Sequence, residues 1–323
     1  MRKINQLSFL LITFISSNSF ASALTDNIQN FEADVKNHIT LMQTHTQQLT
    51  QLSCDTQKDE IIQHWEMAYS NYLAISYMDL EVITKNSLNY SFAFWPDKKN
   101  LINTKMKSLL KENEITSELV DASSAPVKGY QAIEYLLFDS SQAHINCQAL
   151  TAISQNLLNN IQLIISQLDK YPVINPQYLT ADRESEGASV AFNEISNHLS
   201  AIIKKIETIT NDQINSKLYF SDAWRSKRAL EIHKFNLQNS IEYIQIMQTV
   251  LTRDSQTKIN NEIKLIKTQL NSFPSSYFSV YESKNEIDLF NHITALNDLH
   301  NLFSNVILKD LNISLGFNNS DGD

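Results

Sequence analysis

Residues 28–52 read IQNFEADVKNHITLMQTHTQQLTQL, and the placing of their apolar side chains decides the fold. Ile28, Phe31, Val35, Ile39, Met42, Leu49 and Leu52 fall on one face of a helix about seven turns long. A stripe of that length must be buried against other helices. The same spacing returns in Leu150, Ile153, Leu157, Ile161, Ile164 and Leu168, in Ile195, Leu199, Ile202 and Ile206, and in Leu237, Ile241, Ile244 and Met247. Leu289, Ile293, Leu296, Leu299, Phe303 and Val306 complete the set. No period-two alternation of useful length interrupts it, so the chain reads as all-α.

Glycine usage narrows the function classes. The only four are Gly129, Gly187, Gly316 and Gly322, and the five prolines lie between the periodic segments. A dinucleotide-binding turn, a phosphate loop and a nucleophile elbow each need clustered glycines, and none can be built here. The prolines of Tyr171–Pro176 and the charged run TADRESEG (180–187) break the pattern near the middle. The expected architecture is two packed bundles of the four-helix type, 24–175 and 176–317, with a cleft between them and a frayed tail at 318–323.

Arg2 and Lys3 precede nine uncharged residues, LSFLLITFI (7–15), and then Ala21-Ser22-Ala23. This order reads as a signal peptide over 1–23, cut after Ala23, and so as a periplasmic protein. The apolar run is too short to span a bilayer, and no later stretch suits a transmembrane segment. Removing Arg2 and Lys3 from the 26 basic residues leaves 24 against 35 acidic ones, a balance of −11 that disfavours nucleic acid as a partner. In an exported chain the two cysteines, Cys54 and Cys147, are expected to pair in a disulfide, the alternative being two reduced, buried thiols.

The chemistry centres on GYQAIEYLLFD (129–139). Ser124 and Pro126 are placed to start a helix, on which Gln131 and Glu134 share a face three residues apart. A solvated helix edge is the plainer reading of such a pair. A histidine at 131 would have made it half of a metal site. None of the eight histidines, His38, His45, His64, His144, His198, His233, His292 and His300, has another at i+4. His233, eight residues after Arg225, is the one singled out as a candidate ligand.

Two further segments fix the context: FWPDKKN (94–100) and DAWRSKRAL (222–230). WPDKKN, then GYQAIEYLLF, then Cys147, then AWRSKRAL, stand in the order seen in the imelysin family of exported helical proteins, also called insulin-cleaving metalloproteinase-like. The chain resembles that family over most of its length. Gly129 and Glu134 match the glycine and glutamate of its G-x-H-x-x-E signature, while Gln131 takes the histidine position. Trp95 and Asp97 match the segment before the signature helix, and Trp224, Arg225 and Ser226 resemble the motif that meets it in the cleft. Trp65, in an expected helix from Glu60 to Leu80, resembles the family's tryptophan-bearing second helix, although the Gly-Pro pair often found near its end is replaced by Met78-Asp79-Leu80.

The resemblance implies a ligand site formed by Gln131, Glu134, Trp95, Asp97, Trp224, Arg225 and Ser226, with Gly129, Cys54 and Cys147 as structural residues. A metal ion such as iron, zinc or calcium is a candidate cofactor with Glu134 as ligand. The amide of Gln131 weakens that expectation, because a neutral amide oxygen suits hard cations and is a poor ligand for zinc or iron. Other carboxylates, Glu66 or Asp97, would have to join Glu134. No H-E-x-x-H stands in the chain, so a binding or accessory protein linked to iron or metal acquisition is favoured, with outer-membrane or periplasmic uptake components as partners. A metallopeptidase with an altered site is the alternative, and a purely structural helical module a weaker third reading.

Overall fold

The computed structural model describes residues 7–53, 57–141, 144–180, 182–210, 218–273 and 286–313. Among them are twelve α-helices and no strand. The expected stripes are the buried faces. Ile28, Phe31, Val35, Ile39, Met42 and Leu49 are at most 1% exposed along α1 (Leu7–Gln51). The other four lie on α8 (Cys147–Gln167), α9 (Glu184–Thr210), α10 (Ala229–Met247) and α12 (Glu286–Leu311). A helix not singled out in the sequence, α11 (Arg253–Ser272), buries Ile259, Ile263, Ile266 and Leu270, and Thr252 caps it by accepting from the Ser255 N–H.

The long α1 is the common wall of the molecule. It packs against α2 (Lys58–Leu73) and α8 on one side of the chain's midpoint and against α9 and α10 on the other. Helices α9 to α12 pack in turn as α10 on α9, α9 on α12 and α12 on α11. One continuous apolar core runs from Leu24 to Ile313. No helix among the described residues is long and apolar enough to cross a membrane.

Two expectations are adjusted. The tryptophan-bearing helix ends at Leu73, not Leu80. Beyond it the chain turns, and the Asp79 N–H is accepted by the Glu194 carboxylate of α9 at 2.8 Å, which gives the backbone a partner outside the helix. The expected partner of Cys147, Cys54, lies outside the described residues, as do 1–6 of the expected signal peptide and the tail from 318.

Short helices between α2 and α8 frame the signature segment: α3 (Glu81–Lys85), α4 (Asn89–Phe92), α5 (Leu101–Leu109), α6 (Ser117–Ala122) and α7 (Gly129–Phe138). Helix α7 has no solvated edge, for every residue from Gly129 to Leu137 is buried. Its first residue has to be glycine. Gly129 has φ +80°, and a Cβ there would lie 2.3 Å from the Phe92 carbonyl oxygen. That close approach locks the start of α7 against the end of α4.

Candidate functional site

Gln131 is 6% exposed and spends both ends of its amide inside the protein. Its Oε1 accepts the Phe94 backbone N–H at 3.0 Å, and its Nε2 donates to the Tyr69 hydroxyl at 3.0 Å. Tyr69 donates onward to Asp222 Oδ1 at 2.9 Å, while Asp222 Oδ2 is paired with Lys205. Burial, then the Asp222 charge, pushes the Tyr69 hydroxyl well above its usual range, so it stays a donor. The order of donation is therefore fixed from amide to phenol to carboxylate. A donor at one end and an acceptor at the other are what a carboxamide supplies.

One turn on, Glu134 is fully buried. Its Oε1 accepts from the Ser226 N–H at 2.9 Å and the Ser226 hydroxyl at 3.1 Å. Its Oε2 has no partner. Burial pushes the carboxyl up to about 7, against the Ser226 donors and the Arg225 charge that favour the anion. Near neutrality this group is divided between acid and carboxylate, with one oxygen uncommitted.

The facing loop, 221–228, is shaped by two left-handed non-glycine residues, Ala223 at φ 51° and Lys227 at φ 62°. They turn the Ser226 N–H and hydroxyl toward α7. Arg225 lies over the Trp224 ring at 4.5 Å and the Tyr135 ring at 5.5 Å, with its Nε 3.3 Å from Asp139 Oδ2. Arg228 reaches Glu66 at 2.6 Å, a partly exposed pair joining the two halves of the chain.

Trp95 donates its Nε1–H to the Phe220 carbonyl at 2.5 Å, and Lys205 lies over its ring at 5.0 Å and over that of Tyr77 at 4.9 Å. Asp97 stands apart from this set. Its two oxygens accept the Leu101 and Ile102 N–H groups at 2.6 and 3.0 Å and so hold the start of α5. The sequence reading missed Tyr69, Lys205 and Asp222. Asp222 opens the AWRS segment, and Tyr69 follows Trp65 by one turn, but nothing in the letters marks Lys205. A cavity of about 30 Å³, room for about one water, adjoins the Lys205–Asp222 pair and is also lined by Ser221, His233 and Asn236.

The donor set does not fit a transition metal at the signature. Both ends of the Gln131 amide are engaged, Glu134 offers one oxygen, and the Glu66 and Asp97 carboxylates are bound elsewhere. Among the described residues no group of three His, Cys, Asp or Glu side chains could hold an ion.

Fold and site together define an all-helical scaffold in which a signature helix from the first half is hydrogen-bonded to a Trp-Arg-Ser loop from the second. The chain belongs to the imelysin family, whose model, Imelysin, matches residues 21–303. It is similar in fold to an imelysin-like protein from Psychrobacter arcticum 273-4, with 14% identity, a TM-score of 0.70 and coverage of 93% of this chain and 98% of the other. It is also similar to a protein of Parabacteroides distasonis ATCC 8503 named as an iron-regulated protein A precursor, with 13% identity, a TM-score of 0.61 and coverage of 91% and 95%. A comparison with curated proteins finds no match.

Proposed function

We propose that this chain is an exported, imelysin-like binding or accessory protein linked to metal acquisition, and not an active metallopeptidase. The observation that carries the proposal is the use made of Gln131. Where the family signature has a metal-competent histidine, this chain has an amide whose donor and acceptor are both spent on holding Phe94 and Tyr69. Glu134 is likewise spent on Ser226 through one oxygen. The two halves, 24–175 and 176–317, act as bundles joined at these contacts, with the Cys54–Cys147 bond and the removal of 1–23 belonging to the same exported form. The link to iron rests on family membership and on the name of the Parabacteroides relative.

The site's remaining capacity is the Glu134 oxygen without a hydrogen-bond partner, which is fully buried beside an Arg225 already paired with Asp139, so a polar ligand would reach it only by displacing the Ser226 loop. The test is an assay of the tag-free mature protein on an unfolded polypeptide, with metal analysis of wild type beside Glu134→Gln. No cleavage, and metal content indifferent to Glu134, is the expected outcome. Cleavage that disappears in Glu134→Gln would establish the peptidase instead.

A further inference from the structure

His45 on α1 and His64 on α2 meet across the seam between those helices, with their Nδ1 atoms 2.9 Å apart. At that separation one nitrogen carries a hydrogen and the other accepts it, so the two rings share one N–H···N bond. Both rings are half-buried, within reach of protons from solvent, and among the described residues neither has another hydrogen-bond partner. We propose that His45 and His64 form an acid-sensitive clasp, which closes the α1–α2 seam while one ring is neutral and opens it when both are protonated. Two imidazolium rings would set two N–H donors of like charge against each other, with no acceptor between them.

The surroundings leave the proton count to the pair itself. Helix α1 carries no Asp, Glu, Lys or Arg from 37 to 51, and α8, which packs on it, carries none from Cys147 to Gln167. His38, two turns before His45, is bonded to Asn71. On α2 the charged groups are Lys58, Asp59, Glu60 and Glu66. Glu60, one turn before His64, accepts from Gln57 at 2.9 Å, and Glu66 is paired with Arg228. Helix α7, packed on α2, brings Tyr130, which burial keeps a neutral phenol, and Glu134, which is bonded to Ser226. Helix α10, also packed on α2, brings Glu231, paired with Arg228, and Lys234 and Glu242. Helices α9 and α10 touch α1 further back, as at Thr25–Glu184 and His38–Tyr243. Among the described residues no carboxylate stands within ion-pair distance of either ring to favour a second proton. Burial, and then the neighbouring His64, holds the His45 ring below its ordinary value of 6.5, in keeping with a pair that resists that proton.

The seam backs the signature helix. Thr46, the residue after His45, lies 3.0 Å from the Tyr130 hydroxyl, and Trp65, the residue after His64, donates its Nε1–H to the Tyr130 carbonyl at 2.8 Å. Tyr130 immediately precedes Gln131. A clasp opened by acid therefore slackens the first turn of α7, where Gln131 holds Phe94 and Tyr69.

The test is titration of the two rings by NMR in the tag-free mature chain, beside the pH dependence of its folding equilibrium. The rings should titrate as a pair that admits one proton readily and the second only at lower pH. A ring held below its unfolded value gives stability that is complete at higher pH and is lost as pH falls. For each pH unit below about 6.5 the wild-type folding constant should therefore fall by up to about tenfold relative to His45→Gln/His64→Gln, whose amides can bond without titrating. His144→Gln, a change at an exposed histidine elsewhere, should follow the wild type. Amide exchange, corrected for its own pH dependence, should quicken in acid at the α1–α2 seam and the start of α7, and not in the double variant. Rings that take up their protons independently at the ordinary value overturn the proposal, a reading that needs no variant to fold. So does a pH profile that the wild type and the double variant share.

Discussion

Two buried carboxyl groups meet at the junction of the halves, and they are treated differently. Asp222 is given a cation, Lys205, and a phenol donor, Tyr69, so both of its oxygens are engaged. Glu134 is given the N–H and hydroxyl of Ser226 on one oxygen and no hydrogen-bond partner on the other, with only the nearby Arg225 favouring its anion. A carboxylate that is paired and hydrogen-bonded can be buried as a charge, whereas one that is half-satisfied is driven toward its neutral form. The contrast separates a structural clamp from a site with chemistry in reserve. Gln131 lies between them, bonded through Tyr69 to the first and one helical turn from the second.

The largest effect should come from breaking the clamp. Lys205→Met leaves Asp222 buried without its cation, and removal of one partner of such a pair costs about 3–5 kcal/mol. Denaturant unfolding should record that loss, and Lys205→Met/Asp222→Asn should recover much of it, because the neutral pair no longer strands a charge. A loss under about 1 kcal/mol would mean that water, not Lys205, supports Asp222.

Glu134 should differ in being sensitive to pH. Its folded carboxyl holds its proton up to about 7, against an ordinary value of 4.5. Between those values the folded chain binds more protons than the unfolded one, so this group's contribution to stability is complete below about 4.5, falls as pH rises, and is lost above about 7. Glu194 is pushed up to about 7 in the same way, chiefly by burial, and His198 and His292, lowered to about 4 by burial, act in the opposite sense. Comparison with Glu134→Gln, which shares those groups, isolates the effect. The variant should gain on the wild type by up to about 3 kcal/mol from pH 4.5 to 7. A difference that does not change with pH would show that the carboxylate is held as an anion.

The link between the two should matter least. Gln131→Leu deprives the Phe94 N–H of its acceptor and Tyr69 of its donor, a loss of about 2 kcal/mol by thermal unfolding. A neutral outcome would mean that Gln131 could be replaced by any side chain of its size.

The stripes of α1, α8, α9, α10 and α12 were legible because each repeats over many turns and buries one face. Helix α7 was harder to read. Its ten residues are too few to establish a face, and its burial on every side comes from α2, α4, α5 and α8, which converge on it from distant parts of the chain. Gln131 and Glu134 could be found as a departure from a family motif, but the letters could not say that their partners are Phe94, Tyr69 and Ser226. Lys205 was invisible for the same reason: a lysine at the edge of an amphipathic helix looks solvated until the Asp222 loop covers it.

The central claim is that Gln131 has exchanged a metal ligand for a structural role, and zinc titration of Gln131→His tests it most directly. The wild-type chain, mature and tag-free, is the parent. The parent should bind no zinc at low micromolar concentration, Gln131→His should gain binding, and adding Glu134→Gln should remove the gain. If the parent already binds zinc below micromolar concentration and Glu134→Gln abolishes that binding, the signature site is a metal site despite its glutamine, and the account is wrong.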